Sequence, residues 1–168
     1  MKKLMFAALA ACVLLTGCTN NGGSSADSAQ SGSSSAQSEA QKTAKTPAER
    51  TAELLEAVDF PEMAEVTSDK LLSYYGIDEA DVAEYSAYVA GAGVYPDEFG
   101  VFTAVDADAA ERIHDLLFAR LDKQEAIYKD YSPDEAYKYS GSFVTVTGNS
   151  VAYCVCADNT SGMDILSD

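Results

Sequence analysis

"FVTVTGNSVAYCVC", running from Phe143 to Cys156, decides the fold. Gly148-Asn149 separates two runs rich in β-branched and aromatic residues, and a two-residue turn of this chemistry closes a hairpin. The register that follows pairs Val146 with Val151 and Val144 with Tyr153. A second hairpin lies upstream in "EYSAYVAGAGVYPDEFGVFTAV", Glu84 to Val105. There Tyr85, Ala87 and Val89 alternate with Ser86, Tyr88 and Ala90. Beyond the glycines, Phe99, Val101, Thr103 and Val105 alternate with Gly100, Phe102 and Ala104. Period-two alternation of this kind is the mark of a strand.

Helical signals surround the hairpins. "TPAE" at Thr46–Glu49 combines an N-cap residue, Pro at the first helical position and Glu at the third, a capping box with a pre-set φ. The helix it opens places Ala48, Ala52, Leu55 and Val58 on one face, with Leu54 beside them, and Pro61 follows its end. A short helix is predicted after Ser68, with Leu71, Leu72 and Tyr75 apolar, Gly76 in the left-handed closing position and Ile77 packing back near Leu72. Asp108 and Glu111 form a second capping pair. The long helix they open runs to about Tyr131 with Ile113, Leu117, Leu121, Gln124 and Tyr128 along one side. "SPDE" at Ser132–Glu135 opens a short helix ending near Tyr139, and the tail from Asn159 reads as a frayed helical turn. The pattern predicts an α+β fold: an antiparallel sheet of two hairpins, about four strands, with helices packed on one face in the order α-α-β-β-α-β-β.

The N-terminus has a different grammar. Lys2 and Lys3 precede an apolar run from Leu4 to Leu15, and Thr16-Gly17 then precede Cys18. This is the layout of a secretory signal, and the run is shorter than the roughly 20 residues a membrane span needs. Leu15-Thr16-Gly17-Cys18 resembles the bacterial lipobox, in which a diacylglyceryl group is attached to the Cys thiol before cleavage in front of it. Each buried methylene contributes about 0.8 kcal/mol, and one acyl chain alone binds marginally. Two chains on Cys18 give durable attachment to the membrane. From Thr19 to Thr46 the sequence is mostly Ser, Gly, Ala, Gln, Asn and Thr without an aromatic residue, a tether with an r.m.s. span of about 30 Å. All ten tyrosines lie beyond it. The expected organisation is therefore 1–17 signal peptide, 18–46 lipidated Cys and tether, and 47–168 a single α+β domain.

Composition narrows the chemistry. The net charge of −16 becomes −18 once Lys2 and Lys3 leave with the signal. No basic patch exists, so no nucleic-acid partner is expected. The acidity suits an exported domain kept soluble and clear of an anionic membrane surface. His114 is the only histidine, and it falls on the polar side of a predicted helix beside Asp115. No zinc spacing and no Gly-rich phosphate loop occurs. "DADAAE" at Asp106–Glu111 lacks the ligand spacing and central Gly of a calcium loop. No metal and no cofactor is expected. Cys154 and Cys156 would share one strand face about 6.6 Å apart, whereas a disulfide needs Cβ atoms at about 3.8 Å. They read as unbridged small packing residues.

Lipobox, polar tether, "YYGID", "GAGVYPDEFGVF", the long helix, "YSPDEAYK" and "VTGNSVAYCV" occur in this order. Together they resemble a family of Gram-positive bacterial lipoproteins catalogued only as a domain of unknown function, over roughly Phe60 to Asp158 plus the anchor. The resemblance implies a small, secreted, lipid-anchored protein, and it brings no catalytic residue with it.

The resulting expectation is a non-catalytic domain on the extracytoplasmic side of the cell membrane, held there by lipid on Cys18. Its partner would be a protein or a cell-wall component. The candidate contact surface is the loop between the first two strands. There Tyr95 would anchor the partner, since aromatic residues dominate interface energy, and Asp97-Glu98 would form an acidic edge. The alternatives are a small-molecule-binding lipoprotein or an enzyme using a carboxylate pair such as Asp97 with Glu98. Intact-mass analysis of membrane-extracted protein is expected to show an acylated N-terminal Cys18. A mature start elsewhere, with a free thiol at Cys18, contradicts the lipobox reading.

Overall fold

A computed structural model describes residues 44–167. Cys18, the leader and nearly all of the tether lie outside them. The central strand is β3 (Glu98–Ala104), and it is flanked on both sides. β2 (Val82–Ala90) pairs with it antiparallel through Tyr88↔Phe99 and Tyr85↔Phe102. β5 (Ser150–Val155) pairs on its other edge through Phe99↔Cys154 and Phe102↔Val151. β4 (Phe143–Thr147) closes one end of the sheet, in the hairpin register that the Gly148-Asn149 turn implied: Val146↔Val151 and Val144↔Tyr153. Gly148 supplies the positive φ (59°) at that turn.

The fold class and the order of the expected elements are as the sequence implied, with three additions or corrections. First, a fifth strand, β1 (Met63–Glu65), pairs with β2 at the other end, giving the order β1-β2-β3-β5-β4. Three residues are too few to show alternation. Second, helices cover both faces of the sheet, not one. On one face α3 (Ala107–Tyr131) and the π-helical turn Leu71–Tyr75, which continues the short α2 (Ser68–Lys70), pack on Ala87, Phe102, Ala104, Val151, Tyr153 and Val155. On the other, α1 (Pro47–Ala57) and α4 (Asn159–Leu166) pack on Phe99, Val101, Ala152 and Cys154. The reason is in β3 and β5 themselves: both of their faces are apolar, and a strand of that kind must be covered twice. Third, the tail is an ordered helix whose Leu166 is fully buried.

Local corrections have local causes. α1 buries Pro47, Arg50, Thr51 and Leu54, not the alanines and Leu55. Polar residues turn inward because they find partners: Thr51 Oγ1 and Ser86 Oγ share a hydrogen bond (2.7 Å), and Arg50 Nη1 donates to the Leu166 carbonyl (3.0 Å), tying α1 to α4. The capping box at Thr46 and Glu49 forms as read. The cap of α3 is Asp106, whose carboxylate accepts from the Ala109 N–H (2.8 Å), not Asp108. Its apolar side runs Ile113, Leu117, Leu121 and Tyr128 as the spacing implied. Gly76 closes the π turn at φ 74° as expected, but Leu72 is 70 % exposed, and Ile77 packs with Leu71 and Tyr75 instead. The "SPDE" segment makes turns leading to a 3-10 helix, Ala136–Tyr139, without a side-chain cap.

Cys154 and Cys156 are free and buried. Their sulfurs are 3.5 Å apart, closer than strand spacing allows, because β5 ends at Val155 and Cys156 sits in the bend beyond it. Gly162 of α4 lies directly over Cys154: a Cβ there would stand 2.9 Å from Cys154 Sγ.

The same test separates two loop and strand glycines. A Cβ on Gly100 would meet Ala87 Cβ at 2.7 Å and the Ser86 carbonyl at 3.0 Å, whereas one on Gly93 meets nothing within 4 Å. Gly100→Ala is expected to cost about 1–3 kcal/mol in urea unfolding through overpacking. Gly93→Ala should be neutral or stabilising by up to about 1 kcal/mol. Equal midpoints for the two variants contradict the close β2–β3 approach.

Candidate functional site

The alternation of β3 decides what its first residue does. Gly100, Phe102 and Ala104 face α3, so Glu98 faces α3 as well. It is only 3 % exposed. Arg120, from the middle of α3, meets it: Nε donates to Glu98 Oε2 at 2.9 Å and Nη2 reaches the same oxygen at 2.8 Å. Arg120 Nη1 donates to the carbonyl of Tyr74 (2.6 Å), one of the C-terminal carbonyls that the π turn leaves without a helical partner. The guanidinium also lies 5.0 Å from the ring centroid of Tyr75, whose hydroxyl shares a 2.7 Å hydrogen bond with that of Tyr153.

Both Arg120 contacts go to one carboxylate oxygen. Glu98 Oε1 is buried and has no hydrogen-bond partner, and neither has the buried hydroxyl of Tyr139. A buried polar atom without a partner costs about 1–3 kcal/mol. Burial therefore holds the Glu98 carboxyl above the ordinary glutamate value, with Arg120 only partly offsetting it. Burial, and then the charge of Glu98, holds the Tyr139 and Tyr75 phenols well above the usual range.

Glu98 lines a cleft of about 310 Å³ at the loop end of the β2–β3 hairpin, together with Tyr74, Tyr95, Asp97, Tyr128 and Tyr139. Tyr95, Asp97 and Glu98 thus come together in one place. Asp97 and Glu98 are not an exposed acidic edge. Asp97 is 2 % exposed and bound to Lys138 Nζ at 2.6 Å. Burial works against the Lys138 ammonium, but its hydrogen bonds to Asp97 and Glu135 lift its pKa above the ordinary lysine value. Tyr95 is 39 % exposed, with Lys138 Nζ 5.6 Å from its ring centroid. The Tyr128 hydroxyl pins the loop, standing 2.9 Å from the Gly93 carbonyl and 2.8 Å from that of Tyr95. His114 lies away from this cleft on α3, against Asp115 and Phe118. Among the described residues no cluster of His, Cys, Asp or Glu is arranged to hold a metal ion.

Residues 56–156 match the family described as Domain of unknown function (DUF4358). The chain belongs to that family. The DUF4358 segment contains every residue of the cleft, from Ser73 to Tyr139, and stops short of α4. No curated protein and no solved structure matches the chain.

Sequence reasoning missed Arg120, Lys138 and Tyr139. For Arg120 a signal existed: three residues after Leu117 and four before Gln124, it borders the apolar stripe of α3, where a charge needs a partner. Tyr139→Phe deletes a hydroxyl without a partner and should leave stability unchanged or raise it by about 1 kcal/mol. Tyr153→Phe strands the Tyr75 hydroxyl and should cost about 1–3 kcal/mol. Equal losses in chemical denaturation would mean that Tyr139 does have a partner.

Proposed function

We propose that this DUF4358 protein is a lipid-anchored envelope protein whose extracytoplasmic domain binds an envelope component or protein in the cleft beside the loop that joins β2 to β3. The anchor half of the reading rests on the order of Lys2, Lys3, the apolar run and Cys18. No helix among the described residues is long and apolar enough to cross a membrane. The binding half rests on one observation: a carboxylate with an unpartnered oxygen, buried at a cleft walled by four tyrosines. A fold retains such a group at a cost to stability, and sites of function are where that cost is tolerated.

Binding is favoured over carboxylate catalysis because each acid is already engaged by its own cation, Asp97 by Lys138 and Glu98 by Arg120. Tyr95 is the residue on which the reading is tested, because it is half-exposed and its loop is held by backbone contacts that an alanine preserves. Affinity capture with the anchored protein from its own envelope should recover a bound component. Tyr95→Ala should cut that recovery at least tenfold, about 1.4 kcal/mol, while the melting temperature barely moves. A variant that melts several degrees earlier and binds as before makes Tyr95 a core residue and the loop a connector.

A further inference from the structure

The cleft does not end at Tyr74. A second hollow of about 490 Å³ lies between the π turn and α3, lined by Leu72, Leu116 and Ile127. Ser73, Tyr74, Arg120 and Gln124 line both. One groove therefore runs from Glu98, at an acidic end, to a mixed end where the Leu72 and Ile127 side chains stand exposed beside Lys123.

The acidic end has a definite chemistry. Around it stand three acids, Asp97, Glu98 and Glu135, and two cations, Arg120 and Lys138, so one negative charge is in excess when all are ionised. Both cations are spent: Lys138 on Asp97 and Glu135, Arg120 on Glu98 and the Tyr74 carbonyl. Among the residues that line the cleft, the unmet groups are an acceptor, Glu98 Oε1, and the Tyr139 hydroxyl, which can also accept. The walls are tyrosine rings, whose faces attract cations. An anion would meet the excess negative charge, and a neutral apolar chain would leave the carboxylate oxygen unpaired. A group with several N–H donors and a positive charge answers all three features. Because Oε1 and the Tyr139 hydroxyl lie beneath the cleft wall, such a group reaches them only when a wall side chain turns aside.

Resting on the reading of the cleft as a ligand site, we infer that its ligand carries a primary ammonium group on an aliphatic chain. The ammonium is held by Glu98 and Tyr139, and the chain lies along Tyr74 toward Leu72 and Ile127. A free alkylamine and a lysine-type side chain of a short peptide share this chemistry.

The test is NMR titration of the full chain with hexylammonium chloride, hexanol, sodium hexanoate, and the tripeptide Ala-Lys-Ala with and without acetylation of the lysine. Hexylammonium should shift the amides of Tyr74, Tyr95, Glu98 and Ile127 and saturate, with hexanol at least tenfold weaker and hexanoate silent. Tyr139→Phe, which keeps the fold, and Glu98→Gln should each weaken hexylammonium at least tenfold. Tighter binding of unacetylated Ala-Lys-Ala than of hexylammonium supports a peptide source, and the reverse order supports a free amine. Hexanol binding as tightly as hexylammonium overturns the ammonium assignment yet leaves a ligand cleft. Silence from every probe also overturns it, and the cleft reading then stands or falls on the Tyr95-dependent capture.

Discussion

Glu98 places a carboxylate on the covered face of a strand that has no wet face. β3 is paired along both edges and packed on both sides, so its first residue cannot turn to water without breaking the alternation that buries Phe99, Val101 and Phe102. Taking a carboxylate out of water costs several kcal/mol unless a partner replaces the solvent. The arrangement around it follows from that demand. Arg120 must come inward from α3, and in doing so it also meets the Tyr74 carbonyl and the ring of Tyr75. One charge thus links β3, α3 and the π turn.

The partnership is incomplete, and the incompleteness is what makes the cleft more than a seam. Both Arg120 nitrogens that reach Glu98 address Oε2, whereas a side-by-side pair would have used both oxygens. Next to it Lys138 binds Asp97 and stands 2.8 Å from Glu135 Oε2, an arrangement that fixes the 3-10 turn against the start of β3. Two neighbouring acids therefore have different standing. Asp97 is closed off by its lysine, while Glu98 keeps one oxygen in reserve beside the Tyr139 hydroxyl.

The fold was legible where local chemistry and burial agree. The Gly148-Asn149 turn, the Thr46 capping box, the Gly76 closing position and the Ile113–Tyr128 stripe each carry their own signal, and each appears where it was read. β1 was hidden because three edge residues have no period, and α4 was read only as a frayed turn because Gly162 counts against a helix in sequence. In space that glycine admits the helix over Cys154. The inward turn of Arg50 and Thr51 could not be read from apolar spacing, since hydrogen bonds across thirty or more residues decide it. The candidate site was half legible. Tyr95, Asp97 and Glu98 stood out as a loop with chemistry. Their burial, and the arrival of Arg120, Lys138 and Tyr139 from later elements, depend on tertiary packing that no local pattern encodes.

The account turns on the state of the Glu98 carboxyl, and a side-chain carboxyl titration by carbon-detected NMR reads it directly. Burial outweighing Arg120 predicts that Glu98 titrates above the ordinary glutamate value. Saturation with hexylammonium should bring the midpoint down, because a bound cation favours the carboxylate. A Glu98 midpoint at or below the ordinary glutamate value, unmoved by the amine, would mean that Arg120 already satisfies the carboxylate and that no oxygen is held in reserve.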